Sequence, residues 1–164
     1  MVPVYNEEES ISELLSRVAQ VMREFGRTYE VLIVDDGSTD STAHIIAQHA
    51  TQDGHVKGIY LARNYGQSTA MQAGFDAAEG DIIITLDGDL QNDPADIPMM
   101  LDLLEQESVD LVCGWRANRQ DPALRTAVSR FANPSFLLDP PRARPSALLL
   151  VRSNHSIACH NYPA

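Results

Sequence analysis

The chain has 164 residues, enough for one domain with a sizeable hydrophobic core. Its 23 acidic against 12 basic residues give a net charge of −11, which argues against a nucleic-acid binder that works through a basic face. Nucleotide binding stays open, because metal ions and backbone N–H groups can hold phosphates without lysines. Cys113 and Cys159 form neither a disulfide framework nor a metal spacing; a reducing, cytoplasmic setting is expected, with Cys113 as a small buried apolar residue. The start lacks the pattern of a signal peptide, and no apolar run approaches the ~20 residues a membrane helix needs.

The opening "MVPVY" reads as a short first strand. A helix over 8–25 follows, with Ile11, Leu14, Leu15, Val18, Val21 and Met22 on one face, and Asn6 with Glu9 matches a capping box at its start. Strands are expected over 30–36, 56–62, 81–87 and 109–115, each rich in Val, Ile and Leu as strands covered on both faces are. Helices are expected between them over 39–52, 67–79 and 94–106. Ser38, Thr39 and Asp40 offer caps for the first of these, and Asp93 followed by Pro94 marks the last. The alternation predicts an α/β fold of Rossmann-like type, a mostly parallel sheet with helices on both faces and right-handed crossovers. The character changes after Asn133: residues 134–164 hold five prolines and one acid, Asp139. The expected division is therefore a domain over 1–133 and an irregular or disordered tail over 134–164.

Ligands of open α/β sheets sit at the carboxyl ends of the strands, and four polar clusters fall there. In "IIITLDGDLQNDP", Asp87 and Asp89 flank Gly88 directly after a buried strand. Hard divalent cations take such carboxylate oxygens, Gln91 adds a carbonyl, and Gly88 allows close approach. A helix cap explains only Asp93 and leaves Asp87 and Asp89 without a role. Asp35-Asp36 in "VLIVDDGSTD" can accept from a base N–H or a sugar hydroxyl, or cap a turn. Tyr5 and Glu7 in "PVYNEEE" can meet a ligand, or pack over the strand end and complement the helix N-terminus. Arg63 in "RNYGQ" can pair with a phosphate or with a neighbouring acid. Arg116 and Arg119, after "VDLVCGW", form a fifth cluster that is either near a phosphate or solvated.

Together, "VPVYNEEES", "VLIVDDGSTDST", "ARNYGQSTAMQAGFDAAEGD", "IITLDGDLQNDP" and "LVCGWRANRQD" resemble family 2 glycosyltransferases, nearest to the polyprenyl-phosphate branch with dolichol-phosphate mannosyltransferase and bactoprenol glucosyltransferase-like enzymes. The resemblance runs from Val2 to about Asn133. It implies a GT-A nucleotide-diphospho-sugar transferase domain that uses Mg²⁺ or Mn²⁺ and transfers a sugar with inversion. The implied donor is a UDP- or GDP-sugar, and the acceptor a polyprenyl phosphate at the cytoplasmic membrane face; a homo-oligomer is compatible with that. By position, Pro3, Tyr5 and Glu7 would contact the nucleotide. Asp36, with Asp35, would hold base or ribose, and Arg63 would lie nearby. Asp87 and Gly88 would lie near ribose and sugar phosphate, and Asp89 and Gln91 would bind the metal. Arg116 and Arg119 would belong to a loop over donor or acceptor phosphate, and no residue is assigned as catalytic base.

The sequence departs from the family at both ends. The first strand normally extends before "VPVYNE", and the acceptor-binding continuation after "SRFAN" is replaced by "PSFLLDPPRARPSALLLVRSNHSIACHNYPA". Truncation at both ends is expected, the break after Asn133 through a frameshift or a truncated gene model. A catalytically inactive nucleotide-sugar binding fragment is the alternative reading. A phosphotransfer domain fits poorly: the strand ending "YLARN" lacks a receiver's phosphoacceptor Asp, and Gln91 stands where a dehalogenase-type site needs Thr or Val.

Overall fold

The computed structural model describes residues 1–113 and 149–152, the latter as backbone. In chain order the elements are β1 (Val2–Val4), α1 (Ile11–Phe25), β2 (Val31–Asp35), α2 (Thr42–Gln52), β3 (Val56–Tyr60), α3 (Gln67–Ala77), β4 (Ile82–Thr85), a 3₁₀ turn (Pro94–Asp96), α4 (Ile97–Gln106), β5 (Leu111–Cys113) and β6 (Leu149–Arg152).

β1, β2 and β3 pair in parallel in the order β1-β2-β3, with Val2 opposite Ile33 and Val31 opposite Val56. β4, β6 and β5 form a second ladder, in which β6 runs antiparallel to both neighbours. Two bonds join the ladders: the Met1 amino group donates to the Ile84 carbonyl at 2.7 Å, and the Leu86 amide donates to the Met1 carbonyl at 3.1 Å. That exchange is the pattern of a parallel pair, so β4 continues the sheet beyond β1.

Successive residues of β2 point to opposite faces, and each face has its own cover. Val31 and Ile33 join the main core with Ile11, Leu14, Leu15, Val18 and Met22 of α1, Ile46 of α2 and Leu101 and Leu104 of α4. Leu32 and Val34 pack on the other side with Met1, Ala70 and Ile83, partly under Phe75 of α3. All five residues of β2 are buried, as the unbroken apolar run predicts. α1 ends at Gly26, whose φ of 74° is the left-handed C-cap conformation and whose amide bonds the Met22 carbonyl at 3.0 Å.

Two local expectations are corrected. Asn6 does not cap α1, which begins at Ile11 after Ser10. Asn6 sits at φ 55° and accepts from the Thr39 amide instead, so a partner distant in sequence displaces the local box. Cys113 is exposed, because β5 alternates exposed, buried, exposed rather than burying both faces. The sheet is mostly parallel, as expected, with one antiparallel member, β6 (Leu149–Arg152), from the tail. It overlaps the end of the run "ALLLV", and the rest of 134–164 lies outside the described residues. Asp93, by contrast, does accept from the Ala95 amide at 3.0 Å, with Pro94 in the first turn.

Candidate functional site

The loops after β1, β2, β3 and β4 open onto a cleft of about 380 Å³ at the carboxyl edge of the sheet. Pro3 lines it from β1, Tyr5 and Glu7 from the first loop, Asp36 from the second, and Asp87, Gly88 and Asp89 from the fourth. The third loop contributes Asn64 and Gly66, both within the "RNYGQ" cluster, and α3 adds its first residue, Gln67. Asp35, Arg63 and Gln91 do not line the cleft. Arg116 and Arg119 lie outside the described residues.

The first two loops are sewn together. The Asn6 amide donates to Ser38 Oγ at 2.9 Å, and the Thr39 amide returns a bond to Asn6 Oδ1 at 2.8 Å. The Glu7 amide donates to the fully buried Thr42 Oγ1 at 2.8 Å, and the Ser41 amide to Glu8 Oε2 at 2.9 Å. Glu7 is held in turn, its Oε2 accepting from Ser10 Oγ at 2.6 Å. Tyr5 is left 44% exposed, its ring open to a planar ligand.

Asp35 and Asp36 divide the work after β2. Asp35 Oδ1 accepts from the Ser38 amide at 3.0 Å and so shapes its own turn. Burial, and then the nearby Asp35 charge, push the Tyr60 hydroxyl above its ordinary pKa. Asp36 is 3% exposed, and its two oxygens accept the Tyr65 and Gly66 amides, each at 2.8 Å. Its carboxylate therefore positions the third loop. The Arg63 guanidinium lies 4.9 Å from the Tyr65 ring centroid, in cation–π range.

The fourth loop turns sharply. Leu90 has φ 60°, and the Gln91 amide folds back onto Asp89 Oδ1 at 3.1 Å. Asp87 is half-buried and its Oδ2 faces the Asn92 side-chain amide at 3.4 Å, whereas Asp89 and Gln91 are exposed. Gly88 is buried for a reason internal to the chain. A Cβ there would lie 2.8 Å from Val4 Cγ1 and 3.4 Å from Glu7 Cγ. The expected effect of Gly88→Ala is a loss of about 1–3 kcal/mol of stability by overpacking, read from thermal melts, with Val4→Ala restoring most of it in the double variant.

Among the described residues no group of three or more His, Cys, Asp or Glu side chains could hold a metal by itself. The donors present are oxygens at the mouth of the cleft, Asp89 foremost. That set suits a cation such as Mg²⁺, which takes one or two protein carboxylates and completes its shell with phosphate oxygens and water. Among the described residues, too, no helix is long and apolar enough to cross a membrane.

Comparison with known proteins places this geometry. The sequence model of Glycosyl transferase family 2 matches residues 1–159. The dodecaprenyl-phosphate galacturonate synthase of Rhizobium johnstonii is 48% identical over 122 residues, covering 74% of this chain and 36% of that protein. The undecaprenyl-phosphate 4-deoxy-4-formamido-L-arabinose transferase of Shewanella sediminis is 50% identical over 134 residues, covering 81% of this chain and 40% of that protein. The chain thus spans about two-fifths of these relatives' length or less. Among solved structures, S. aureus TarS 1-349 in complex with UDP superposes with a TM-score of 0.64 at 23% identity, over 93% of this chain and 46% of that one. The glucosyl-3-phosphoglycerate synthase of Mycobacterium tuberculosis, in complex with Mn²⁺, UDP-glucose and phosphoglyceric acid, also gives 0.64, at 21% identity over 93% of this chain and 55% of that one. These superpositions establish the shared fold, and the match along nearly the whole sequence establishes the family: this chain belongs to glycosyl transferase family 2.

Proposed function

We propose that this chain is the donor-binding part of a metal-dependent, inverting glycosyltransferase that moves a sugar from a nucleoside diphosphate to a polyprenyl phosphate at the cytoplasmic face of a membrane. The observation that carries the reading is the convergence of Asp87, Gly88 and Asp89 with Tyr5, Glu7 and Asp36 on one cleft. Names of the two relatives support the acceptor class, and the UDP and Mn²⁺ complexes of the two solved structures support the donor class and the cation.

Each residue then has a task. Tyr5 and Pro3 form the wall against which base or ribose lies. Asp36 keeps the third loop in place beside it. Asp87, at the depth of the cleft, faces ribose and sugar phosphate, while Asp89, with Gln91 behind it, holds the cation at the mouth. A bound divalent cation supplies charge stabilisation to the departing diphosphate. The acceptor phosphate is already an anion, so aligning it with the donor is the larger part of the task. No residue of the described part is assigned as a base.

Calorimetric titration with UDP and then GDP, each with and without Mn²⁺, tests the reading. Mn²⁺-dependent binding is expected, weakened about tenfold or more in Asp89→Asn, which removes the charge at the metal position. A chain that melts cooperatively yet binds neither nucleotide would overturn the assignment. Binding of a nucleotide sugar without transfer is a second reading, favoured by the short span of the relatives covered. Radiolabelled transfer to a polyprenyl phosphate separates the two.

A further inference from the structure

Thr42 opens α2 and is fully buried, yet it does not line the cleft. A buried hydroxyl needs partners, because leaving it unbonded costs free energy. Its Oγ1 accepts from the Glu7 amide at 2.8 Å, from a residue 35 positions back in the chain. The hydroxyl donates to the Asp40 carboxylate, whose Oδ1 also accepts the Thr42 amide at 3.0 Å. Asp40 Oδ2 takes the next amide of the first loop, that of Glu8, at 3.3 Å. Residues 40 and 42 therefore hold two successive amides of that loop. The bonds that join Asn6 to Ser38 and Thr39 are exposed, whereas the Glu7–Thr42 bond is partly buried. Water can replace the exposed bonds; it replaces the Glu7–Thr42 bond least readily.

The Glu7 side chain is fastened at its far end as well, where Ser10 Oγ donates to Oε2 at 2.6 Å. Between these two fastenings, Glu7 Cγ passes beside the fourth loop: a Cβ at Gly88 would lie 3.4 Å from it. Gly88 sits between Asp87 and Asp89, and all three line the cleft together with Glu7. Glu7 is thus where the first loop meets the fourth, and its place is set from α2. A valine at 42 would fill the same space but give the Glu7 amide no acceptor.

We propose that Thr42 is a positioning residue of the donor cleft: with Ser10 it fixes Glu7 against Gly88, and so sets the gap between the first and fourth loops into which a nucleoside diphosphate fits. The proposal rests on the donor-site reading above and adds to it a residue that touches neither nucleotide nor cation. A misplacement of about 1 Å in a preorganised site is enough for a tenfold or larger effect.

The test is calorimetric titration of the 164-residue chain and its variants with the nucleotide that the parent binds, UDP or GDP, in the presence of Mn²⁺. Thr42→Val keeps the shape and removes the hydroxyl, and should bind about tenfold more weakly. Thr42→Ser restores the hydroxyl and should bind within about twofold of the parent. Ile46→Val, equally buried on the same helix but packed toward Gly58 of β3, should lose stability and bind like the parent. Amide hydrogen exchange gives a readout that needs no nucleotide. The Glu7 amide should exchange at least about tenfold faster in Thr42→Val, while the Leu14 amide, bonded to the Ser10 carbonyl, exchanges as in the parent. Should Thr42→Val lose its cooperative melt, Ser10→Ala reads the other fastening. Ser10 makes no side-chain cap to α1, so the helix start is kept, and about threefold weaker binding is expected. The proposal is overturned by Thr42→Val binding like the parent, by Thr42→Ser binding as weakly as Thr42→Val, by an equal loss in Ile46→Val, by unchanged exchange at Glu7, or by Ser10→Ala binding like the parent where Thr42→Val does not melt. With a parent that binds, each of these outcomes leaves the donor-site reading standing. A cooperatively melting parent that binds neither UDP nor GDP overturns that reading, and this proposal with it.

Discussion

Gly37→Ala is expected to disable the cleft while Gly54→Ala leaves it intact. The two glycines differ in what surrounds them. A Cβ at Gly54 meets nothing within 4 Å. One at Gly37 would lie 2.4 Å from the Arg63 carbonyl carbon, 2.6 Å from its Cα and 2.7 Å from the Asn64 nitrogen. These are backbone atoms, so no rotamer change relieves the clash. Gly37 also has φ 69°, a conformation that costs an L-residue about 1–2 kcal/mol before any contact is counted. Gly26 isolates that conformational cost, with φ 74° and open space around it.

The clash matters because of what the third loop is tied to. Asp36 clamps the Tyr65 and Gly66 amides, and residues 64, 66 and 67 line the cleft. Moving Arg63 and Asn64 away from a new methyl group must break that clamp, leaving buried Asp36 oxygens without their donors, at about 1.5–3 kcal/mol for a bond to a charged group. Thermal melts should therefore rank Gly54→Ala, Gly26→Ala and Gly37→Ala in order of increasing loss, with Gly37→Ala exceeding ~3 kcal/mol. Nucleotide titration should separate them further. Gly26→Ala retains binding, since it lies at the far end of α1, whereas Gly37→Ala loses it at least about tenfold. Gly37→Ala binding nucleotide like the parent would show that the third loop takes no part in the site.

The reason sequence reading placed the cleft but not its wiring lies in the range of the interactions. Strand ends are local events, marked by an apolar run meeting Asp, Gly or Asn, and "LIVDDG", "YLARN" and "TLDGD" all reach the same edge. The Asp93–Pro94 cap is local too and forms as read. Asp36, in contrast, chooses amides 29 and 30 residues downstream, and Asn6 bonds 33 residues away, in preference to the capping box its spacing suggests. No periodicity encodes those choices. The same holds for β6, a four-residue run whose strand character depends on partners, β4 and β5, that lie far back in the chain. The mostly parallel expectation followed from alternation of strands and helices and holds; the one strand arriving late from the other direction is invisible to that alternation. Exposure of Cys113 follows likewise from its place on a short strand with one covered face.

Stability of a polypeptide that starts at Met1 should fall steeply between pH 8 and pH 5, a window set by its buried amino group. The Met1 amine has an ordinary pKa of 8.0, and burial lowers it to about 5 in the folded chain, the Glu30 charge offsetting part of the effect. Between those values the unfolded chain binds a proton that the folded chain does not, so the free energy of unfolding rises with pH there. The contribution is fully present above pH 8 and is lost as pH falls toward 5, where both states carry the proton. That lowering of the pKa corresponds to about 4 kcal/mol, an upper bound comparable with much of the ~5–15 kcal/mol by which domains are stable. Lowered carboxyl pKa values at Asp40 and Asp53 act in a separate, more acidic window. At Asp40, hydrogen bonds from Thr42 and Glu8 outweigh desolvation; at Asp53, hydrogen bonds from His55 dominate. Acetylating the Met1 nitrogen tests the assignment cleanly, because an amide N–H can still donate to the Ile84 carbonyl yet cannot titrate. Urea titrations of the two forms should coincide near pH 8.5 to within the effect of the added acetyl group and diverge progressively down to pH 5, with the acetylated chain the more stable. Equal pH slopes for both forms would remove the buried amine as the cause.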